Sequence, residues 1–224
     1  MELQRRFRGQ PITTRRTLVI DCATAACSVA LFEGDAMRAG AFEVLGRGHA
    51  ERLVPMIAEL PERGRADTIA VACGPGSFTG VRIGLAVARS LAFAWAAELQ
   101  GYSTMALVAA MARARAGGQA LTVAMEGGHG EWFVQGFDAA GAALGDAASL
   151  PPEQAVAEMR NALVAGTVAE HFVQQAGAGT ALPMHSDARE FAALPAGALS
   201  LDTTPIYGRA PDAKPGNAAP GERA

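Results

Sequence analysis

The chain of 224 residues has 50% hydrophobic residues, 18% charged residues and a formal net charge of −3. This length is enough for one large domain or two small lobes with a buried core. The small net charge excludes a broad basic surface for nucleic acid, so any RNA contact would be local or made through a partner. Three cysteines without C-x-x-C spacing argue against a disulfide framework or a zinc site and favour a reduced compartment.

Residues 1–16 contain five arginines and one glutamate without apolar periodicity, which predicts a flexible basic leader. The leader could be an RNA-contacting arm, a solvated tail or the product of a start codon placed too early. Arg15 and Arg16 precede a short apolar run, but Asp21 interrupts that run after four residues. Arg89 divides the longest apolar stretch, so no segment reaches the ~20 residues of a membrane span. We therefore expect a cytoplasmic protein without membrane contact.

From residue 17 the pattern predicts three antiparallel strands, with turns at 22–26 and at Gly34 and Asp35. Asp21 ends the first strand and Thr24 follows in the turn. Nucleotide-binding lobes place a carboxylate and hydroxyl groups at such a position, where they orient a metal-bound water or face a phosphate. A turn in which both side chains only bind the local backbone is the alternative.

The next segments predict a helix over 49–60, a strand over 68–73, a Gly-Pro-Gly turn over 74–77 and a helix over 78–97. Ser77 or Thr79 would cap the second of these helices. Three strands followed by helix, strand and helix are typical of a mixed sheet with helices packed on it, which is an α/β lobe.

The helix over 78–97 has few polar residues, so it should be covered on more than one side. Small residues recur along it at i, i+4 spacing, which would let another helix approach closely. Both covering elements could belong to this chain, or one could belong to another protein. The small residues are Gly80, Gly84, Ala88, Ala92 and Ala96.

The remaining chain predicts a strand over 99–103, a helix over 104–115 and a hairpin that turns at 127–130 and begins a second lobe. A helix over 151–163, a strand over 162–166 and a helix over 168–175 follow. Part of 188–194 is expected to be helical, and residues 209–224 are expected to be disordered.

No complete catalytic set is found among the residues. The glycine-rich turn lacks the Gly-Lys-Ser/Thr of a phosphate loop and the spacing of a dinucleotide motif, and Pro75 stands where a serine-hydrolase elbow needs glycine. The four histidines include no i, i+4 pair that could bind a metal on a helix, so neither a metal site nor a peptidase is favoured.

Four segments resemble the bacterial TsaB (YeaZ) family of tRNA threonylcarbamoyladenosine biosynthesis. They are LVIDCATAACSVALFEGD, GHAERLVPMIAEL, GPGSFTGVRIGLAVARSLA followed by GYSTMALVA, and PIYGRAPDAKP. The resemblance covers about residues 17–213. It implies an actin-like ATPase (ASKHA) fold of class α/β, with two lobes of mixed sheet and packed helices. The first lobe would span 17–103 and the second 104–208.

The resemblance also implies a non-catalytic scaffold or activator subunit. Its partner would be the paralogue TsaD, which transfers threonylcarbamoyl to N6 of adenosine 37 in tRNAs that read codons starting with A. The ATPase TsaE would complete the complex, tRNA would be reached only through it, and the free chain could form a homodimer. An autonomous ATP-dependent transferase or kinase-like enzyme of the same fold is the alternative.

In this family the two helices of the first lobe form the docking surface. A bulky residue at Gly84 or Ala88 is then expected to block the partner without harming the fold. The candidate partner-binding residues are His49, Arg52, Leu53, Met56, Leu60, Arg82, Gly84, Ala88, Leu91, Ala92 and Trp95.

The candidate nucleotide or phosphate contacts are Asp21, Thr24, Gly74, Gly76 and Ser77. Ala23 stands where active members of the superfamily have glycine, so tight nucleotide binding by this chain alone is not expected. The resemblance leaves open whether ATP or ADP binds at the junction with the partner. Leu53 stands where the catalytic paralogue has its second metal-binding histidine, and Glu126 stands where the family has aspartate.

Overall fold

The computed structural model describes residues 15–158, 161–195 and 197–207, and within them the chain forms two five-stranded mixed sheets. Most of the predicted leader and the predicted tail from residue 209 lie outside this range. The first sheet consists of β1 (Arg16–Asp21), β2 (Ala26–Glu33), β3 (Ala36–Val44), β4 (Thr68–Ala72) and β5 (Glu98–Tyr102). Its order is β3-β2-β1-β4-β5, with β1, β2 and β3 antiparallel as predicted and β4 and β5 parallel to β1.

The second sheet repeats this connectivity. It consists of β6 (Leu121–Glu126), β7 (Trp132–Phe137), β8 (Ala148–Leu150), β9 (Leu163–Gly166) and β10 (Thr180–Pro183). Its order, read as β8-β7-β6-β9-β10, again has an antiparallel meander followed by two parallel strands. β8 and β10 were not predicted from the sequence, because three- and four-residue edge strands carry too short a pattern to recognise.

Five α-helices lie within the described residues. They are α1 (His49–Glu59), α2 (Phe78–Trp95), α3 (Thr104–Ala116), α4 (Pro152–Glu158) and α5 (Ala169–Ala176). The predictions for α1, α2, α3 and α5 are confirmed to within two residues at each end. The predicted helix over 151–163 is too long, because Leu163 already belongs to β9. No helix in the described part of the chain has the length and hydropathy needed to cross a bilayer.

Helix α3 packs into the cores of both sheets. Leu107 and Met111, four residues apart, belong to the core of the first sheet. Met105, Val108 and Ala112 lie on another side of the helix and belong to the core of the second sheet. The helix is therefore buried on two sides by apolar contacts, and it ties the two sheets together.

The segment from Met184 onward returns to the first sheet. A 3-10 helix over Ala188–Ala193 packs against β1, β2 and β3, and Ser200 exchanges two backbone hydrogen bonds with Gly101 on β5 (2.7 and 2.9 Å). The predicted lobe boundary at residue 103 stays a prediction. The structure adds that residues 184–195 and 197–207, assigned by sequence to the second lobe, lie on the first sheet.

Asp21 holds this returning segment in place. Its carboxylate is buried and accepts hydrogen bonds from the Ala23 N–H (3.0 Å), the Ser186 hydroxyl (2.8 Å) and the Tyr102 hydroxyl (3.1 Å). Ser28, which lies opposite Asp21 in the β1–β2 register, accepts the Ala188 N–H (2.9 Å). Burial raises the pKa of Asp21 to about 6, even though the three hydrogen bonds favour the ionised form.

The opposite face of the first sheet carries α2. Ser77 caps this helix, since its hydroxyl accepts the Gly80 N–H (3.2 Å). A Cβ atom on Gly80 would overlap the Cys22 carbonyl oxygen, so only glycine allows this contact. A Cβ atom on Gly84 would lie 3.7–3.8 Å from Cys22, Val71 and Ile20, which is ordinary packing distance.

This packing corrects the expectation for the small-residue row. Gly80, Gly84 and Ala88 are buried against the chain's own first sheet, so they do not face a partner. A leucine at Gly84 or Ala88 would force α2 away from the sheet and damage the fold, contrary to the sequence-based expectation.

We predict opposite effects for two Gly→Ala substitutions in α2. Gly80→Ala should lower the free energy of unfolding by roughly 1–3 kcal/mol, because the added methyl group displaces the Cys22 carbonyl. The matched control Gly84→Ala should raise it by up to ~1 kcal/mol, because its methyl group fits and glycine weakens a helix. Urea denaturation followed by circular dichroism measures both values. Equal changes for the two variants would contradict this packing.

We also predict that Asp21 makes stability fall as the pH rises from 4 to 6. The pKa of this carboxyl is higher in the folded chain than in the unfolded chain, so its contribution is complete below pH 4 and is lost as the pH passes 6. The loss is up to ~3 kcal/mol. In Asp21→Asn the amide stays neutral, so the difference between wild type and variant should change over this range. Parallel urea-denaturation profiles from pH 4 to 7 would contradict the prediction.

Candidate functional site

A cavity of about 900 Å³ lies between the turns of the first sheet and the hairpin of the second sheet. Three of the predicted phosphate contacts line it, namely Thr24, Gly76 and Ser77. The other two do not. Gly74 is buried below the turn, and the Asp21 carboxylate is occupied by three protein donors on the far side of the sheet. Whether the three lining residues bind a ligand stays a prediction.

The floor of the cavity is formed by two turns that touch. The Ser77 N–H donates to the Ala23 carbonyl (2.7 Å), and a Cβ atom on Gly76 would overlap the same carbonyl oxygen. His49, at the start of α1, holds the first turn from the other side. Its Nε2–H donates to the carbonyl oxygens of Thr24 (3.0 Å) and Ala26 (3.2 Å). His49 is therefore a buried positioning residue, which corrects its prediction as a partner contact.

The second-sheet wall of the cavity is acidic. Glu126 and Glu131 line it together with His129, and His185 of the returning segment also lines the cavity. The Ser149 hydroxyl donates to Glu131 (2.6 Å), and burial lowers the pKa of His185. Two carboxylates on one wall disfavour a polyphosphate in the cavity, because like charges repel more strongly where water is partly excluded.

Arg82 closes the mouth of the cavity with two aromatic rings. Its guanidinium lies 3.5 Å from the centroid of the Phe78 ring, and its Nε and Nη donate to the Tyr207 hydroxyl (3.3 and 3.2 Å). Phe78 and Tyr207 also contact each other, with ring centroids 5.5 Å apart. Arg82 was predicted as a partner contact, but its guanidinium interacts with Phe78 and Tyr207 of the same chain.

The described residues contain no group of three or more His, Cys, Asp or Glu side chains arranged to hold a metal ion. Leu53, at the position of the paralogue's second histidine, lies fully inside the first core. Among the described residues that line the cavity, the Ser149 hydroxyl and the Glu131 carboxylate are joined by a hydrogen bond, as a nucleophile and a base would be. The absence of a catalytic activity stays a prediction.

A second feature is an exposed apolar surface on the outer side of α1 and α2. We call it the α1–α2 face and define it by Val54, Phe78, Ala86, Arg89 and Phe93. Phe93 is 92% exposed, Phe78 56% and Val54 54%. Exposed large apolar side chains on one side of a helix, together with an arginine, are typical of a protein-binding surface.

Apart from His49 and Arg82, the predicted partner contacts divide into three groups. Leu53, Met56, Leu60, Gly84 and Ala88 are buried and support the α1–α2 face from behind, which corrects their prediction as direct contacts. Leu91, Ala92 and Trp95 are half-buried and pack against the core of the first sheet. Arg52 is half-buried and binds Glu43 and Glu59 (2.5 and 2.8 Å), which lowers the pKa of both carboxylates.

Phe93 and Val54 were not among the residues predicted from the sequence. A signal was available for Phe93, because Arg82, Ala86, Arg89 and Phe93 follow one another at spacings of four, three and four residues. Two arginines on that row mark the side of α2 that faces water, so an aromatic residue on the same row is exposed.

Comparisons with known proteins agree with this architecture. The family model described as TsaD, tRNA N6-adenosine threonylcarbamoyltransferase, matches residues 43–192. The tRNA threonylcarbamoyladenosine biosynthesis protein TsaB of Escherichia coli is 38% identical over 123 residues, which are 53% of this chain and 53% of that protein. The chain thus spans about half the length of this curated relative in the match.

Two solved structures from Pseudomonas aeruginosa match over most of the chain. An uncharacterized protein with similarity to peptidase YEAZ is 30% identical with a TM-score of 0.75, over 87% of this chain and 100% of that one. YeaZ is 29% identical with a TM-score of 0.73, over 86% of this chain and 99% of that one.

A more distant structure, the ethanolamine utilization protein EutJ from Carboxydothermus hydrogenoformans, has 14% identity and a TM-score of 0.50, over 83% of this chain and 92% of that one. It bears on the fold alone. Together with the repeated sheet topology, these neighbours confirm the predicted two-lobed ASKHA fold. The chain belongs to the TsaB (YeaZ) family, within the wider group that the TsaD family model describes.

Proposed function

We propose that this chain is a non-catalytic subunit of the complex that adds threonylcarbamoyl to adenosine 37 of tRNA, and that it binds the catalytic subunit TsaD. The observation that carries the proposal is the α1–α2 face. Phe93 is 92% exposed, and Phe78 and Val54 are each more than half exposed, so the face offers apolar surface at both ends of α2 and on α1 that a partner would cover. The family membership of the chain and the names of its relatives support the same pathway.

The scaffold role is supported by what surrounds the cavity. The Asp21 carboxylate is fully hydrogen-bonded within the protein, and Glu126 and Glu131 line the wall where phosphates would approach. The chain alone should therefore bind ATP or ADP weakly, and nucleotide would be held at the junction with TsaD. TsaE and tRNA would join through the complex. Without TsaD, two copies would cover each other's α1–α2 face.

We predict that Phe93→Asp weakens TsaD binding at least tenfold, or by ~1.4 kcal/mol or more, because it places a charge in the apolar centre of the interface. The fold should survive, since Phe93 makes little contact with the core. The matched control is Leu144→Asp, a leucine that is 62% exposed beside β7 and away from this face. Calorimetry with TsaD from the same organism measures both affinities.

Equal affinities for wild type and Phe93→Asp would refute the assignment of the face. If TsaD does not bind at all, while the isolated chain hydrolyses ATP in the presence of Mg²⁺, the chain is an autonomous ATP-dependent enzyme instead. Light scattering on the free chain gives a second readout, because Phe93→Asp should abolish any homodimer formed through the same face.

A further inference from the structure

Two cysteines lie opposite each other at the turn between β1 and β2. Asp21 pairs with Ser28 in the antiparallel register, so Cys22 and Cys27 form the next opposed pair. Their sulfur atoms are 3.6 Å apart, and both side chains are buried, with exposures of 2% and 0%. Cys73 is also buried, but its thiol donates to the Val71 carbonyl (3.7 Å).

This geometry suits a disulfide. Directly opposed residues of antiparallel strands have Cα atoms about 4.5–5.5 Å apart, within the range of about 4.4–6.8 Å that disulfides span. The two thiols already point toward each other on the α2 side of the sheet, since Cys22 lies 3.7 Å from the position of a Cβ atom on Gly84. Closing the bond would need side-chain rotation and little backbone movement.

We propose that Cys22 and Cys27 form a reversible dithiol–disulfide site that small peroxides oxidise. Cys27 loses its proton, its thiolate attacks one peroxide oxygen, and the O–O bond breaks; Cys27 becomes a sulfenic acid, and the departing hydroxide takes up the proton from Cys27 and leaves as the first water. The Cys22 sulfur then attacks the Cys27 sulfur, the S–O bond breaks, and a second water leaves. Two thiols and one hydrogen peroxide thus give one disulfide and two waters, and a dithiol reductant reverses the change.

The surroundings favour Cys27 as the first nucleophile. The contact between the two sulfur atoms lowers the pKa of Cys27, whereas the same contact and burial raise the pKa of Cys22. Three of the four residues between the two cysteines, Ala23, Thr24 and Ala25, line the cavity, so only the turn itself separates the pair from a space that hydrogen peroxide can enter. Oxidation would cross-link the turn that supports the start of α2.

The test is peroxide oxidation of the reduced full-length chain, followed by unfolding, alkylation with N-ethylmaleimide and mass spectrometry. Trypsin releases both cysteines in one peptide, Thr17–Arg38, and Cys73 in another. We expect the first peptide to escape alkylation and lose about 2 Da, the mass of two hydrogens, with full recovery after dithiothreitol. Its thiols should disappear at least tenfold faster than that of Cys73.

Cys22→Ser and Cys27→Ser are the matched controls, because each keeps one thiol and nearly the original volume. Neither variant should show the 2-Da loss. The proposal fails if the wild-type peptide accumulates sulfinic acid without the 2-Da loss, if the disulfide forms between two chains, or if Cys73 reacts as fast as the pair. Because none of these readouts involves TsaD, the result does not depend on the proposed function.

Discussion

The structure depends on the close contact between two turns of the first lobe. The carbonyl groups of Cys22 and Ala23 lie directly against the start of α2, and Ala23 accepts the Ser77 N–H at 2.7 Å. Gly76 and Gly80 make this approach possible, because a Cβ atom at either position would overlap a carbonyl oxygen. The same contact sets the floor of the cavity and the position of α2, whose outer side carries the α1–α2 face. The cavity and the α1–α2 face therefore both depend on the contact between these two turns.

Polar groups buried on the other side of the sheet give this arrangement its second support. Asp21, Tyr102 and Ser186 come from three distant parts of the chain and form one hydrogen-bonded group. Since an ionised carboxylate is costly to bury without donors, removing any one of them would leave the others less well satisfied. The group fixes the returning segment on the first sheet, and Tyr207 at the end of that segment reaches the mouth of the cavity.

Tyr207 and Arg82 connect the cavity to the α1–α2 face. Arg82 lies on the outer row of α2, one turn before Ala86, yet its guanidinium packs on Phe78 and binds the Tyr207 hydroxyl at the cavity mouth. A partner that covers Phe78 and Phe93 would therefore also contact the border of the cavity. In the proposed complex with TsaD, the interface on the α1–α2 face would therefore reach the border of the cavity.

The sequence by itself determined the local structure of this protein. The periodicity of apolar residues, the cap at Ser77 and the turn residues predicted β1 to β7, α1, α2 and α3 closely, because these signals act within a few residues. Family motifs such as GPGSFTGVRIG indicated the fold.

Only the tertiary structure decided which side of each element is covered. Gly84 and Ala88 fit a helix partner or a sheet equally well by pattern, and they pack on the sheet. Asp21 fits a phosphate site by position, but residues 81 and 165 places later in the chain occupy its carboxylate. Contacts over such separations leave no periodic signal, since they depend on how the two sheets and the returning segment come together.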